Sequence, residues 1–525
     1  MIDSPLLLPQ SLQSLSTITR KIPADYLAGS DTLRPFYKYP IKSLDFQQII
    51  ADKSRENTDR QLLARVIREQ YQGMELGEKV ERNLQKLENS QSFTVTTGHQ
   101  LVLFGGPLFT IYKVMSTIRL AEQLSLQHPE TPVVPVFWIH TEDHDYEEIN
   151  HYYQDYGQKI TYPGSFHTKV GAHILEDSIR QFWPTDLPEP LNAAYQPGTS
   201  LAQATRLFFH ELFKDFGLLI LDADDVRFKQ KFTSVMIEEI DNHVAKAKVS
   251  ETSIQLKKAG YSSQVNPREV NLFWTDEIGR DRILAEGDHF RVQGRHEKYS
   301  AEEMRHEIES HPDRFSPNVT LRPLYQEMIL PNLAYFGGWG EISYWMQLKG
   351  VFEHFDVNFP AVLPRFSATV IPMAWKTQWE KLGFSPKEVR KPLPELNKKY
   401  VPNIWDSEEF DRLEKQILDR VSELTRYIES EVSTTLSRSS DALRTKNNNY
   451  LENMRKKIHR IIRNENREPF AEIEALKLQI QPDGQVQERV WSLATVATMI
   501  SPKEFLDKVY QTCDPICFEH QMLEL

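Results

Sequence analysis

Five short apolar runs recur along this chain, each closed by glycines or charged residues. They are Phe93–Thr97, Val133–His140, Phe216–Leu221, Leu333–Phe336 and Phe359–Leu363. Runs this short and this apolar suit strands buried on both faces, as in parallel sheets. Alternation with helical stretches predicts an α/β fold with a right-handed parallel sheet. Such a sheet lines up its strand C-terminal ends along one edge, where ligands bind. The residues that close the runs are therefore the candidates for function.

The first closure lies in Thr96–Lys113, TTGHQLVLFGGPLFTIYK. Pro107 suits the first position of a helix, and Leu108, Ile111, Tyr112, Met115, Ile118 and Leu124 continue it to a stop at Pro129. Gly98, Gly105 and Gly106 would let the backbone approach a phosphate or carboxylate, with the helix N-terminal N–H groups holding the anion. His99 would stabilise charge on a transferring phosphoryl or adenylyl group. Lys113 lies two turns into the helix and is not counted on to reach. Alternatively, the glycines only shape a strand-to-helix turn and His99 is a satisfied polar residue.

The second closure holds His140, Glu142, Asp143, His144 and Asp145. Imidazole and carboxylate are common metal ligands, which invites a metal reading. Against it, adjacent residues alternate in direction and cannot all face one ion. A second reading has the acids hold a substrate amine while His144 acts as acid or base; a third is a solvated acidic loop. The third run, Phe216–Leu221, is followed by Asp222, Asp224 and Asp225. The fourth closure is Gly337-Gly338-Trp339-Gly340-Glu341, with Tyr344 one turn beyond Gly340. Glu341 either caps the helix or binds an amine or ribose hydroxyl. At the last closure, Arg365 and Ser367 suit phosphate or form a surface turn. Asn318, Arg322 and Gln326 would share one face if their segment is helical, as substrate ligands or as a capping network.

A chain of 525 residues predicts two to four domains. The formal charge of −12 argues against general nucleic-acid binding, which needs a basic face. No apolar run reaches the length of a membrane span, and Leu6-Leu7-Leu8 is too short for a signal peptide. Cys513 and Cys517 are too few for a disulfide framework or a metal site, which points to ordinary thiols and a cytoplasmic location.

Residues 1–45 read as irregular, 46–73 and 76–89 as helical, and a further helix should run from 226 to about 249. Residues 157–197 read as irregular insertion and 261–299 as a small antiparallel one. Ser300 with Glu303 forms a capping box. Residues 384–405 look like a linker. Phe410, Leu413, Ile417, Val421, Leu424, Ile428 and Val432 keep a three-four rhythm, taken up again by Leu443, Leu451, Met454, Ile458 and Ile461. That is the pattern of an antiparallel helical hairpin or coiled coil. Pro482-Asp483-Gly484 makes a turn, and a final helix starts at Ser501-Pro502 with Glu504 as its capping box. The expected organisation is a core over 1–383 with insertions near 150–215 and 250–320, a linker and coiled coil over 384–480, and helices over 481–525 packing back on the core.

Three stretches together resemble the family of bacillithiol biosynthesis cysteine-adding enzymes, or cysteine ligases: TTGHQLVLFGGPLFTIYK, FWIHTEDHDYEEINH at 137–151, and RPLYQEMILPNLAYFGGWGEISYWMQLK at 322–349. The resemblance covers nearly the whole chain. It implies a Rossmann-like core related to class I aminoacyl-tRNA synthetases and nucleotidylyltransferases, with a coiled coil that mediates homodimerisation. It implies a ligase that adds cysteine to glucosaminyl-malate, with ATP and Mg²⁺ as expected companions and no protein-built metal site. Gly98-His99-Gln100 then occupies the place of a HIGH-type motif. Arg365-Phe366-Ser367 occupies that of a KMSKS-type motif, which it matches poorly. Trp339 stands where the family pattern GGPGE has proline.

On this resemblance His99, Asp143 and His144 are the expected catalytic residues. Gln100, Glu142, Asp145, Asn318, Arg322, Gly338, Gly340, Glu341 and Tyr344 would bind substrate. Gly98, Gly105, Gly106, Arg365 and Ser367 would bind phosphate. The competing expectations are a metal-dependent hydrolase or deacetylase built on His140–Asp145, and a non-catalytic dimeric nucleotide-binding protein.

Overall fold

The computed structural model describes residues 21–525 except 156, 165, 386, 387, 389 and 390. The first part of the segment expected to be irregular, residues 1–20 of 1–45, thus lies outside the described residues, and the rest opens with a helix, Lys21–Ala28. By its contacts the chain divides into two units, one running to Thr369 and taking in Gln485–Leu523, the other spanning Val370–Gly484.

The first unit is built on five parallel strands: β1 (Phe93–His99), β2 (Val133–Ile139), β3 (Leu219–Asp222), β4 (Asn332–Gly337) and β5 (Ala361–Pro364). Their order is β5-β4-β1-β2-β3, and each neighbouring pair is parallel. Every residue of β2 and β4 is buried, which explains runs without polar alternation. From β1 the chain builds outward through β2 to β3, then crosses back to place β4 and β5 on the other side. This is the Rossmann-like order, and its topological switch point lies between the ends of β1 and β4.

Helix α1 (Leu108–Gln127) follows β1 and is buried almost all round. One face meets the sheet; another meets the C-terminal helix Pro502–Thr512, where Arg119 donates to Cys513 O (3.2 Å) and lies over the ring of Tyr510. A helix covered on both sides has no polar face to show, as expected for α1. Pro107 is its N-cap in extended conformation rather than its first helical residue. The connection from β1 is a tight buried turn with Phe104 at φ +48°. Its ring packs against Tyr152, Tyr195 and Phe208 of the insertion that follows β2.

A five-stranded antiparallel sheet occupies Leu272–Pro317, in the order Phe315–Pro317, Leu272–Thr275, Arg280–Glu286, His289–Val292, Lys298–Ser300. The Ser300–Glu303 capping box follows it. Helix α2 (Arg322–Ile329) leads into β4, and helix α3 (Trp339–Trp345) leaves it.

Several boundaries differ from expectation. The stretch 46–73 is two helices, Phe46–Lys53 and Arg60–Gln70, because Asp59 accepts from Leu62 N and starts a new helix. The helix after β3 ends at Asn242 and restarts at Val244, broken by His243 at φ +49°. The linker 384–405 contains a helix, Leu393–Tyr400.

The second unit is dominated by α4 (Glu408–Tyr427) and α5 (Ser437–Glu465), packed against each other as a hairpin. Arg455 of α5 pairs with Asp411 and Glu414 of α4, and Arg444 with Glu429 in the turn between them. Among the described residues no helix is long and apolar enough to cross a membrane.

Candidate active site at the sheet switch point

Lys113 occupies the middle of the crevice. Its buried ammonium donates to Gly98 O (3.0 Å) and pairs with Glu341 (2.6 Å), so the residue not counted on to reach joins the end of β1 to the start of α3. Glu341 also accepts from Gly338 N (2.7 Å) and from the Tyr335 hydroxyl (2.9 Å). Burial alone would raise the Glu341 carboxyl, but Lys113 and these donors hold it down at about 2. Glu341 is thus both helix cap and counter-ion, and its oxygens are engaged.

His99 extends β1 by two residues beyond the expected strand. Its Nδ1 lies 3.1 Å from Gln100 O, an acceptor only, so Nδ1 carries the proton and Nε2 the lone pair. Burial, reinforced by the charge of Lys113, lowers His99 to about 4. At neutral pH it is an uncharged acceptor rather than a cation. Glycine at 98 lets the His140 ring sit against β1, since a Cβ there would stand 2.7 Å from Nε2 of His140 and displace it. That nitrogen is buried and has no hydrogen-bond partner among the described residues.

The other glycines and the helix end do not form the expected phosphate cradle. A Cβ on Gly105 would meet Phe208 at 2.9 Å and one on Gly106 would meet Val102 at 2.6 Å; both residues shape the turn. At the start of α1, Leu108 N donates to Trp491 O (2.7 Å) and Thr110 N to Pro107 O (2.9 Å). Those helix-end donors are engaged.

At the end of β2 the acidic cluster is dispersed. Glu142 pairs with the buried Lys229. Asp145 is exposed and precedes the short helix Tyr146–Ile149. Asp143 accepts from Gln100 Nε2 (2.8 Å) and from His144 N (2.8 Å) and faces Arg280 at 3.8 Å. Burial would raise its carboxyl, yet the His144 and Gln100 hydrogen bonds and the Arg280 charge hold it well below the usual carboxylate range. His144 is exposed, and its Nδ1 accepts from Arg280 Nη1 (3.0 Å), which leaves the proton on Nε2. His99 and His144 therefore differ at Nε2, the first with a lone pair and the second with an N–H. Among the described residues no three His, Cys, Asp or Glu side chains converge as metal ligands. The directions these side chains take remove the geometric support for a hydrolase metal site here.

Arg322 opens α2, with Nη1 on Gln326 (3.0 Å), its guanidinium 5.8 Å from the ring of Tyr335, and Nη2 buried without a hydrogen-bond partner among the described residues. Tyr344 lies beside it in the same field, its phenol raised by burial to about 12. Gly340 is exposed and open. Asn318 does not share a helical face with Arg322 and Gln326, since the helix starts only at Arg322. It bonds to Asn271 (2.8 Å) and Thr320 in a turn of the insertion.

At the end of β5, Arg365 donates to Glu488 (2.6 Å) and to Phe366 O (2.9 Å). Ser367 donates to Glu488 (2.9 Å), and its hydroxyl lies 2.7 Å from His520 Nδ1. A carboxylate from the C-terminal segment thus takes the place expected for phosphate. Arg280, Glu488 and Arg489 were not singled out from sequence; their neighbours read as ordinary turns and helix starts, and only the tertiary fold brings them here. Lys113, Arg322, Arg365 and Arg489 face the crevice fields against Glu341 and Glu488, an excess of positive charge suited to an anion.

The family model described as "Bacillithiol biosynthesis BshC, N-terminal Rossmann-like domain" matches residues 10–366, and "Bacillithiol biosynthesis BshC, C-terminal coiled-coil domain" matches 368–525. A protein of Cytophaga hutchinsonii named "Putative cysteine ligase BshC" is 34% identical over 509 residues, 96% of each chain. Proteins of the same name from Flavobacterium johnsoniae and Salinibacter ruber are 33% and 31% identical, covering 89% and 91% of this chain and 90% and 91% of their own lengths.

The His99 environment sets a pH dependence. The unfolded imidazole takes up a proton below about 6.5, while the folded one stays neutral until about 4. Stability linked to this group is complete above pH 6.5 and falls as the pH drops towards 4. His99→Asn is expected to remove about 1–3 kcal/mol of this acid-induced loss, read as the difference between urea-unfolding free energies at pH 7 and pH 4.5 in the two proteins.

Proposed function

We propose that this chain, which belongs to the bacillithiol biosynthesis BshC family, is an amide-forming ligase that adds cysteine to glucosaminyl-malate. The observation that carries this reading is the switch-point crevice, where surplus cations stand beside an ionised acceptor, Asp143, and a neutral imidazole, His99. The surplus charge suits a polyphosphate, and Asp143 suits an ammonium group.

An amide forms in water only from an activated acyl group. In this reading the cysteine carboxylate attacks the α-phosphorus of ATP and pyrophosphate leaves, giving a carboxyl–AMP anhydride. The amine of glucosaminyl-malate then attacks the carbonyl carbon and AMP leaves with the former carboxylate oxygen. Asp143, held by Gln100 and the His144 amide, receives the cysteine ammonium. His99 Nε2 takes the proton released by the attacking amine. Nearby bound phosphate raises the basicity of this imidazole, which in the free protein is low. The Nε2–H of His144 is a donor in this scheme rather than the base. Mg²⁺ would arrive with ATP, held mainly by phosphates and water, and would neutralise phosphate charge.

The test is isotopic. Cysteine labelled with ¹⁸O in its carboxylate is incubated with ATP, Mg²⁺, glucosaminyl-malate and purified protein. One label is expected in AMP. Label in inorganic phosphate would replace the adenylate by an acyl phosphate, and product formed without ATP would remove ATP from the scheme. Asp143→Asn is expected to lower kcat/KM for cysteine roughly 100-fold, the worth of one charge-assisted contact.

The same reading gives the chain a cytosolic setting and a homodimer through the coiled-coil domain. Support for the dimer comes from apolar side chains left exposed on the hairpin, among them Leu413, Ile417, Leu424, Tyr450, Met454 and Ile461. Deleting residues 406–465 is expected to give a monomer by light scattering. A dimer that survives the deletion would move the interface elsewhere.

A further inference from the structure

We propose that Arg489 is the phosphate-binding cation of the crevice, taking the polyphosphate of a nucleoside triphosphate in the place assigned from sequence to Arg365 and Ser367. The proposal rests on the nucleotide-dependent reading above. Its starting point is Phe109, in the first turn of α1. Three groups surround that ring: His99 with its centroid at 5.3 Å, the Arg365 guanidinium at 5.2 Å and the Arg489 guanidinium at 5.9 Å.

Two guanidinium groups here meet one carboxylate, and Glu488 is already committed. Its oxygens accept from Arg365 (2.6 Å), from the Ser367 hydroxyl (2.9 Å) and from Ala368 N (3.2 Å). Glu341, whose field also reaches Arg489, is held by Lys113, Tyr335 and Gly338 N. Beyond its place over the ring of Phe109, the Arg489 side chain forms no ion pair or hydrogen bond among the described residues. A guanidinium beside a neutralised arginine presents free N–H pairs with the geometry of a phosphate edge.

Its position is built rather than incidental. Two residues on, Trp491 O accepts from Leu108 N (2.7 Å), and Ser492 forms an antiparallel bridge with Pro107. The Ser492 hydroxyl donates to Tyr153 O. One residue back, Glu488 is locked to the end of β5. The segment therefore lies across the start of α1, engages its first N–H, and presents Arg489 beside the ring of Phe109. The Arg489 side chain reaches solvent at the crevice rim; partial desolvation and the like charge of Arg365 disfavour its cation when nothing faces it. A bound phosphate would supply the missing counter-charge.

Binding of Mg–ATP, inorganic tripolyphosphate and glucosaminyl-malate is to be measured by titration calorimetry on the full-length protein and on Arg489→Ala, Arg489→Gln and Arg489→Lys, with melting temperatures as the check on folding. Loss of one charge-assisted contact should weaken Mg–ATP and tripolyphosphate roughly 10- to 100-fold in the alanine and glutamine variants. Lysine should recover part of the loss, and glucosaminyl-malate affinity should stay within twofold. If the wild-type protein binds Mg–ATP and every folded variant binds it within twofold, the assignment to Arg489 is overturned while the nucleotide reading stands. If the loss falls on glucosaminyl-malate instead, the site recognises carboxylate and the proposal is equally overturned. If the wild-type protein binds neither Mg–ATP nor tripolyphosphate, the nucleotide reading fails first and the proposal with it.

Discussion

One buried ammonium holds together the two strand ends on which the crevice depends. Lys113 grips the carbonyl of Gly98 on one side of the switch point and the carboxylate of Glu341 on the other. Without it Glu341 would be a partly buried charge with only neutral donors, an arrangement several kcal/mol less favourable. With it, the carboxylate is pinned as the cap of α3 and the β1 turn is fixed in height. The same charge helps keep His99 neutral, because a second cation beside a buried ammonium is disfavoured. Burial, with this ammonium adding to it, thus keeps neutral the imidazole most central to the proposed chemistry.

The rim around this pair is assembled from distant parts of the chain. The antiparallel insertion brings Arg280 to Asp143 and His144, fixing the tautomer of one and the ionisation of the other. The C-terminal segment returns after the coiled-coil hairpin to the first unit, bringing Glu488 to β5 and Arg489 to Phe109. Each contribution replaces a role that the local motif would otherwise fill. Glu488 neutralises Arg365, Trp491 engages the end of α1, and Arg489 brings a second guanidinium to the ring of Phe109.

Much of the scaffold was legible in the sequence because parallel strands leave a plain mark: short, wholly apolar and closed by polar residues. All five runs became neighbouring strands of one sheet, and Gly98, His99, Asp143 and Glu341 lie where strand ends meet. Residue roles were harder to read. Lys113 looked out of reach because the reach of a side chain fifteen positions on depends on how α1 docks, which helical spacing does not record. Gly105 and Gly106 resemble a phosphate loop in sequence, yet their freedom is used against Phe208 and Val102. His144 looked like a base until Arg280, more than a hundred residues later, was placed on its Nδ1. The break at Asp59 did carry a capping signal that periodicity masked, whereas the left-handed turn at His243 had none.

The central claim is that activation and amide formation occur between the ends of β1 and β4. A crystal structure of the full-length protein with cysteinyl-sulfamoyl-adenosine, a stable mimic of the carboxyl–AMP anhydride, tests it most directly. The expected result is the cysteinyl ammonium on Asp143, the sulfamoyl group within reach of His99 and the ligand lying across the switch point. Ligand bound instead in the depression of about 830 Å³ at the opposite edge of the sheet, lined by Asp59, Arg60, Glu88, Phe93 and Lys231, would contradict it.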